Sequence, residues 1–203
     1  MNAALKLSSH FTYADYCNWS EEERWELIHG EAYAMAAPSR LHQKIVSELS
    51  RQIGNYLQGK SCEIYVAPFD VRLPTRNEKD EQIDTVVQPD ISVICNEEKL
   101  DEKGCRGAPD WIIEIVSPSS AFHDMNIKRD LYEMHGIREY WIIHPTERWL
   151  MIYLLDLQGK YGNYKMFSLE NYSQVALFSD LSIDWQFLPI NKIETLPPPS
   201  IKK

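Results

Sequence analysis

The chain has 203 residues, of which 44% are apolar and 25% are charged, and its formal net charge is −9. This predicts one globular domain over residues 1–203, with a core at about 10–190 and a short polar C-terminal tail. No apolar run approaches the roughly 18 residues of a membrane span, and the first residues lack the apolar stretch of a signal peptide, so we expect a cytoplasmic protein. The acidic balance argues against broad electrostatic binding of nucleic acid, but it is compatible with an enzyme whose carboxylates hold metal ions.

The four cysteines are scattered and form no Cys-x-x-Cys pair; they are Cys17, Cys62, Cys95 and Cys105. In a cytoplasmic chain of this size, this spacing indicates buried or incidental thiols rather than a disulfide framework. A zinc site made of Cys95, Cys105 and His123 is an alternative that no ligand spacing supports.

The predicted elements of the first third are a short helix, a hairpin and a long helix. The short helix covers 12–19 with Thr12 as N-cap, and the hairpin covers 25–35 with its turn at His29-Gly30. Ser39 then precedes an amphipathic helix that ends near Gly59 and whose apolar residues recur at helical spacing.

The rest of the chain is predicted to alternate strands with polar connections and one further helix. Strands are expected at 63–66, 70–73, 86–95, 111–116, 139–143, 150–155, 161–167 and 174–178. Segment 74–84 is expected to be a mobile polar loop, segment 96–109 another polar connection, and 121–135 a helix that ends at Gly136. A helix that joins two strands places them parallel in one sheet, so the order predicts a mixed α/β fold with a central mixed sheet flanked by helices.

A carboxylate inside an apolar strand is the strongest chemical signal in the chain. Glu114 lies in the run Trp-Ile-Ile-Glu-Ile-Val, where an uncompensated charge would cost several kcal/mol. Strand alternation places Glu114 on the same face as Ile112 and Val116. Asp90 opens the preceding apolar strand, so the two carboxylates can converge if these strands are neighbours. With a backbone carbonyl, they would supply the hard oxygen ligands that Mg²⁺ prefers.

The ammonium that such a site needs has two candidate positions. Many nucleases carry a lysine two residues after the glutamate, but Val116 stands there. Lys128 follows Asp124 by four residues on the predicted helix, so it could supply the ammonium from the side. A surface salt bridge between Asp124 and Lys128 is the alternative interpretation.

Several segments together resemble the Uma2-type restriction-endonuclease-like family (DUF820), over about residues 10–190. They are residues 25–31 (WELIHGE), Leu41-His42-Gln43, Gln88-Pro89-Asp90, residues 107–119 (GAPDWIIEIVSPS), Asp124 with Lys128, and residues 139–145 (EYWIIHP). The resemblance implies the PD-(D/E)XK nuclease fold and a Mg²⁺-dependent phosphodiesterase site. By position, Asp90 and Glu114 match the two acidic residues, and Lys128 matches a lysine that has moved to the helix.

Further site residues are less specific. Glu31, after the hairpin turn, is a candidate third acidic group or an ordinary polar residue, whereas Glu26 is interpreted as structural. His42 is a candidate phosphate contact or base, or a residue that satisfies a nearby helix group. Ser117 and Ser119 are interpreted as a turn and cap rather than nucleophiles.

The function predicted from these features is a Mg²⁺- or Mn²⁺-dependent endonuclease that acts on DNA. Asp90, Glu114 and the Ile115 carbonyl would hold the metal, and Lys128 would assist at the phosphate. The alternatives are a catalytically silent nuclease-fold module for binding or assembly and, more remotely, a hydrolase of another phosphoester. We also expect a homo-oligomer, most simply a dimer.

Overall fold

The structure, a computed structural model, describes residues 10–20, 22–117 and 120–188. Its helices are α1 (Tyr13–Tyr16), α2 (Arg40–Leu57) and α3 (Arg129–His135), and a π-helical segment at His123–Lys128 leads directly into α3. The strands are β1 (Trp25–Ile28), β2 (Glu31–Ala34), β3 (Glu63–Val66), β4 (Val71–Arg72), β5 (Val86–Val87), β6 (Ile91–Ile94), β7 (Leu100–Asp101), β8 (Gly104–Arg106), β9 (Trp111–Ile115), β10 (Glu139–His144), β11 (Trp149–Leu154), β12 (Lys165–Ser168), β13 (Tyr172–Gln174) and β14 (Ser182–Asp184).

These strands form two larger sheets and a small hairpin. The first sheet has the order β2-β1-β5-β4-β8-β7, the second has the order β12-β11-β10-β9-β6-β3, and β13 pairs with β14. In the second sheet, β9 and β10 are parallel and the other neighbours are antiparallel. The helical segment at 121–135 connects β9 to β10, as predicted. The mixed sheet with flanking helices confirms the predicted fold class.

Strand alternation in β9 separates the two main hydrophobic clusters. Trp111, Ile113 and Ile115 pack in the cluster that contains the buried side chains of α2, whereas Ile112 lies in the cluster that contains Leu131 of α3. The sheet is therefore covered on both faces, and a charged side chain on either face of β9 must find its partners within the protein.

The predicted hairpin and long helix are both present. His29 and Gly30 have φ values of 50° and 77°, which suit a tight two-residue turn, and the glycine allows the His10 ring to pack closely. Ser39 is the N-cap of α2, where its hydroxyl accepts a hydrogen bond from the His42 N–H at 3.2 Å.

The prediction of one continuous strand over 86–95 is wrong. The structure splits it into β5 and β6, which belong to different sheets. Pro89 has no N–H for a strand ladder, so pairing stops there and the chain passes from one sheet to the other. This break places Asp90 directly before the first residue of β6.

The segments predicted as polar connections contain more structure than expected. Asp80–Gln82 forms a 3₁₀ turn within the 74–84 segment, and β7 and β8 lie within 96–109. Asp80 forms salt bridges with Arg72 and Arg106, and Arg72 also pairs with Asp101. The Arg72 side chain is fully buried, so these carboxylates supply the partners that a buried charge requires.

The interpretation of the four cysteines as buried or incidental thiols is wrong for two of them. Cys62 and Cys95 form a disulfide, whereas Cys17 is exposed and Cys105 is buried. The pair lies one step beyond the Glu63–Ile94 pair of the β3–β6 ladder. The strand pairing brings the two sulfurs together, and Cys95 is therefore no longer available for the alternative zinc site.

The last strands also differ from expectation. β12 begins at Lys165, with Tyr161 in a separate bridge to Leu155, and the strand predicted at 174–178 is instead the β13–β14 hairpin. Pro118, Ser119 and the predicted tail beyond residue 188 lie outside the described residues. Across the described part of the chain, no helix combines the length and the hydropathy of a membrane span.

Candidate active site

Asp90 and Glu114 meet where β6 and β9 run antiparallel. Ile91 pairs with Ile113, so the preceding Asp90 faces the following Glu114. The Asp90 N–H approaches Glu114 Oε2 at 3.4 Å, and the Ile115 N–H donates to Asp90 Oδ2 at 2.7 Å. The two carboxyl groups therefore converge, as strand alternation predicts.

His42 holds the Asp90 carboxylate from the first turn of α2. Its Nε2 lies 3.0 Å from Asp90 Oδ2, and both side chains are largely buried, with 14% and 16% exposure. The sequence left open whether His42 contacts a phosphate, acts as a base or satisfies a nearby group. The structure places it against Asp90, so together with the Ile115 N–H it orients this carboxylate.

Lys128 lies at the centre of a buried cluster of carboxylates. Its Nζ is 2.8 Å from Glu26 Oε1, 2.9 Å from Glu114 Oε1 and 3.6 Å from Asp124 Oδ1. Burial opposes the charged form of Lys128, but the three carboxylates outweigh burial and raise its pKa well above the ordinary value. The amine is therefore a fixed ammonium behind Glu114.

Glu114 is the most strongly perturbed acid of the site. Burial raises its pKa well above the ordinary value, and this effect exceeds the lowering by Lys128. The Tyr132 hydroxyl donates to Glu114 Oε1 at 2.8 Å. Burial and the adjacent Glu114 carboxylate in turn raise the pKa of Tyr132 well above its usual range, so it remains a neutral donor.

The π-helical segment presents Asp124 and Lys128 to the sheet. Asp124 is buried, and burial raises the pKa of its carboxyl group. The buried Tyr140 hydroxyl donates to the Asp124 carbonyl at 3.0 Å, which attaches this segment to β10. Wide π-helical turns occur frequently at functional sites. Here the segment directs Lys128 into the site, so the pair is not the surface salt bridge of the alternative interpretation.

The structure brings Glu26 into the cluster rather than Glu31. Glu26 is buried, accepts from the Gln88 N–H at 2.8 Å and binds Lys128. Glu31 is exposed on β2 and accepts from the Tyr33 hydroxyl at 3.0 Å. The interpretation of Glu26 as merely structural is incomplete, since it is an acid between apolar Trp25 and Leu27, the same signal that identified Glu114.

His123 lies beside the cluster without joining it. Its ring packs on Tyr33 with a centroid separation of 4.6 Å, and its Nε2 is 3.9 Å from Glu26 Oε2, too long for a hydrogen bond. Burial, with a contribution from Lys128, lowers the His123 pKa to about 4, so the ring is neutral near pH 7.

The oxygen donors around Asp90 suit Mg²⁺. Glu114 Oε1 and Asp90 Oδ2 accept short hydrogen bonds from protein donors. Glu114 Oε2 receives the longer 3.4 Å contact from the Asp90 N–H, so this oxygen and Asp90 Oδ1 are the better placed to bind a cation. The Ile115 carbonyl points to the same side of β9 as its N–H, which faces Asp90. Within the described ranges no three His, Cys, Asp or Glu side chains converge as ligands. Mg²⁺ commonly uses one or two carboxylates with water and substrate oxygens, so this donor set fits it.

Val116 occupies the position at which the general nuclease pattern has a lysine, and its surroundings in the structure are apolar. Val116 is buried in the cluster that contains Leu131. Ser117 forms a turn with Ser120, whose Oγ accepts from the Ser117 N–H at 3.0 Å, as expected of a turn rather than a nucleophile.

The family model of Uma2, described as "Putative restriction endonuclease", matches residues 12–189. The chain belongs to the Uma2 family. The match includes every residue of the site described above, and it indicates a nuclease.

Two relatives from Synechocystis sp. are called uncharacterized proteins slr1290 and sll1609. The first is 28% identical over 135 residues, which cover 65% of this chain and 67% of the relative. The second is 29% identical over 137 residues, which cover 65% of this chain and 73% of the relative. A crystal structure described as a putative nuclease belonging to DUF820, from Anabaena variabilis, superimposes with a TM-score of 0.69 at 22% identity, covering 88% of this chain and 97% of the other. This structural likeness establishes the shared fold.

Proposed function

We propose that this Uma2 protein is a Mg²⁺-dependent endonuclease that hydrolyses phosphodiester bonds in DNA, with Mn²⁺ able to replace Mg²⁺. The observation that carries the proposal is the convergence of Asp90 and Glu114 at the β6–β9 junction. Membership of the Uma2 family supports a nuclease in the coarser sense. The proposed metal rests on the oxygen donors of the site, and the proposed DNA substrate rests on the description of the family as restriction endonucleases.

Different residues of the site would hold the metal, orient its ligands and supply positive charge. Asp90, Glu114 and the Ile115 carbonyl hold the cation, and His42 orients Asp90. A bound Mg²⁺ neutralises charge on the phosphate and lowers the pKa of the attacking water. Lys128 provides a fixed positive charge behind Glu114. Three carboxyl groups surround this single ammonium, and a cation bound beside Glu114 would favour the ionised form that burial opposes.

The direct test uses supercoiled plasmid DNA with the parent protein and the Asp90→Asn variant. The parent should cleave in Mg²⁺ or Mn²⁺ and be inactive in EDTA. Asp90→Asn removes a ligand charge without changing its size, so calorimetric Mn²⁺ affinity should fall by more than roughly tenfold. Asp130→Asn, an exposed acid on α3, is the matched control and should behave like the parent.

A parent protein that neither binds divalent metal nor cleaves any nucleic acid would contradict the proposal. The catalytically silent binding or assembly module would then replace it. Cleavage of a simple aryl phosphodiester without cleavage of DNA would instead support the hydrolase of another phosphoester.

We propose that the protein acts in the cytoplasm, where its DNA substrate lies. Cytoplasmic reductants keep most thiols reduced. The Cys62–Cys95 pair lies at one end of the β3–β6 ladder and Asp90 at the other, so loss of the disulfide would leave the contacts of Asp90 in place.

The proposal also includes a homodimer formed through β12. This strand is at the edge of the second sheet, and all four of its residues are exposed, including Met166 and Phe167. An exposed apolar edge strand can pair with a second copy of itself in an antiparallel, two-fold symmetric arrangement. Light scattering should give twice the 23.7 kDa chain mass. Phe167→Glu should give the monomer mass, and a monomeric parent at high concentration would contradict the dimer.

A further inference from the structure

A groove of about 450 Å³ lies beside the candidate active site and is not used by the proposed mechanism. Its lining residues are Tyr65, Pro68, Phe69, Asp70, Gln88, Asp101, Glu102, Lys103 and Gly104. Its volume is within the range of about 300–1,000 Å³ that is typical of small-molecule sites.

Two connections place the groove next to the candidate metal ligands. The Ala67 N–H, at the start of the segment that forms one wall, donates to the Asp90 carbonyl at 3.2 Å. The Gln88 N–H donates to Glu26 at 2.8 Å, while the Gln88 side chain lines the groove. A nucleic-acid strand bound at Asp90 would therefore have a neighbouring nucleotide within reach of this groove.

One wall of the groove is a pair of stacked aromatic rings. The rings of Tyr65 and Phe69 are 4.2 Å apart between centroids and only 12° from parallel, and both side chains are half-buried. A stacked pair of this kind can be extended by a further planar ring. Stacking of this type is the general means by which proteins hold unpaired bases, because every base has a π-face.

The excess of carboxylates along the groove disfavours a phosphate. Its lining includes three acidic residues, Asp70, Asp101 and Glu102, and one basic residue, Lys103, while Asp101 is also paired with the buried Arg72. Although burial opposes its ionisation, the bond to Arg72 holds the pKa of Asp101 below its usual value, so Asp101 remains anionic. Carboxylates accept hydrogen bonds, and adenine and cytosine present exocyclic amino donors that thymine lacks.

Close contacts hold Asp70 and Gly104 together at the groove. Gly104 has a φ of 119°, and a Cβ at this position would come within 2.3 Å of the Asp70 carbonyl oxygen. Asp70 Oδ1 accepts hydrogen bonds from the Tyr16 hydroxyl and from Gln88 Nε2, both at 2.9 Å. These contacts hold the Asp70 carboxylate in place at the groove, so it can act as a preformed acceptor.

We propose that this groove binds one unstacked nucleobase next to the scissile phosphate, with adenine or cytosine preferred over thymine. The inference rests on the proposed nuclease function and adds its substrate class, a strand with an unpaired base. The aromatic pair would stack on the base, and the carboxylates would accept its amino group. Single-stranded or locally opened DNA would then be a better substrate than intact duplex.

The test measures nucleoside binding in EDTA, so that it does not depend on cleavage. Saturation-transfer NMR with adenosine, cytidine and thymidine should give several-fold stronger signals for the first two. Phe69→Leu removes the stacking ring but keeps an apolar side chain, so it should weaken adenosine binding roughly tenfold. Phe122→Leu, at an exposed phenylalanine outside the groove, is the matched control and should leave binding unchanged.

A second variant tests the hydrogen-bonding part of the inference. Glu102→Gln removes one carboxylate from the groove and should reduce the preference for adenosine over thymidine, whereas Glu97→Gln outside it should not. Equal adenosine binding by the parent and Phe69→Leu, or no nucleoside binding by the parent, would overturn the inference. Equal displacement of adenosine by spermidine from the parent and from Phe69→Leu would indicate a polyamine site. That result would also overturn the inference.

The outcome separates this inference from the proposed function. Adenosine binding that depends on Phe69, in a protein that cleaves no DNA, would preserve the groove and reject the nuclease. DNA cleavage with equal rates on single-stranded and duplex substrates, and with no effect of Phe69→Leu, would preserve the nuclease and reject the groove.

Discussion

Replacing Lys128 by methionine should lower the free energy of unfolding by about 3–5 kcal/mol near pH 8, because it leaves buried carboxylates without their cation. The Lys128 ammonium is 2.8 Å from Glu26 and 2.9 Å from Glu114, in a site that is almost completely buried. Urea unfolding followed by circular dichroism measures the change. Lys160→Met is the matched control, since that lysine is 69% exposed beside Glu133 and should cost less than about 1 kcal/mol.

The destabilisation by Lys128→Met should depend on pH with a definite sign. Lys128 lowers the pKa of Glu114, so its removal should raise that pKa further above the unfolded value. The folded variant then binds more protons than the unfolded chain, and its stability falls as pH rises through this interval. The loss should therefore be smaller at pH 5 than at pH 8. An equal loss at both values would contradict the assignment of Lys128 as the compensating charge.

The parent protein should itself lose stability in alkaline solution. Because the folded pKa of Lys128 is raised, its stabilising contribution is complete below the unfolded value of about 10.5 and is lost as pH rises above that value. This loss should be absent from Lys128→Met, which separates it from the titration of other groups.

Replacing Glu114 by glutamine should abolish metal-dependent cleavage of DNA, with a loss of at least about 100-fold, while the protein remains folded. Glutamine keeps the size of the side chain and an oxygen that can accept from Tyr132, but it removes the ligand charge. Lys128 retains Glu26 and Asp124 as partners, so the buried ammonium stays compensated. Plasmid cleavage and calorimetric Mn²⁺ binding measure the two consequences.

Glu139→Gln is the matched control for Glu114→Gln. Glu139 is also a buried glutamate of the second sheet, but its carboxylate accepts from Trp141 Nε1 and from the N–H groups of Ala176 and Leu177. Its replacement should reduce stability and leave the activity of the folded fraction intact. Retention of parental cleavage by Glu114→Gln would reject this residue as a metal ligand.

Several parts of the fold follow from local patterns. The Ser39 cap and the buried spacing of α2 predict its 18 residues closely, and the His29-Gly30 turn predicts the first hairpin. These elements are predictable because their signals depend on contacts within a few residues. The convergence of Asp90 and Glu114 was also predictable, since it requires only strand alternation and neighbouring strands.

Other parts depend on partners that are distant in sequence. Glu26 is 102 positions away from Lys128 in the numbering, and only the tertiary fold brings their side chains together. The Cys62–Cys95 bond likewise depends on the β3–β6 register. The division of 86–95 between two sheets was signalled by Pro89, but the choice of partners for each half was not.

The sequence by itself determined that an acid in an apolar strand, Glu114, must be compensated, and that Val116 cannot be the compensating group. The tertiary structure decided which groups compensate it: Lys128 from the π-helical segment, with Tyr132 as a second donor. It also decided that Glu26 rather than Glu31 completes the cluster. The physical reason is that the cost of burying a charge is a local property of the strand, whereas the partners that offset this cost are selected by the packing of segments far apart in the chain.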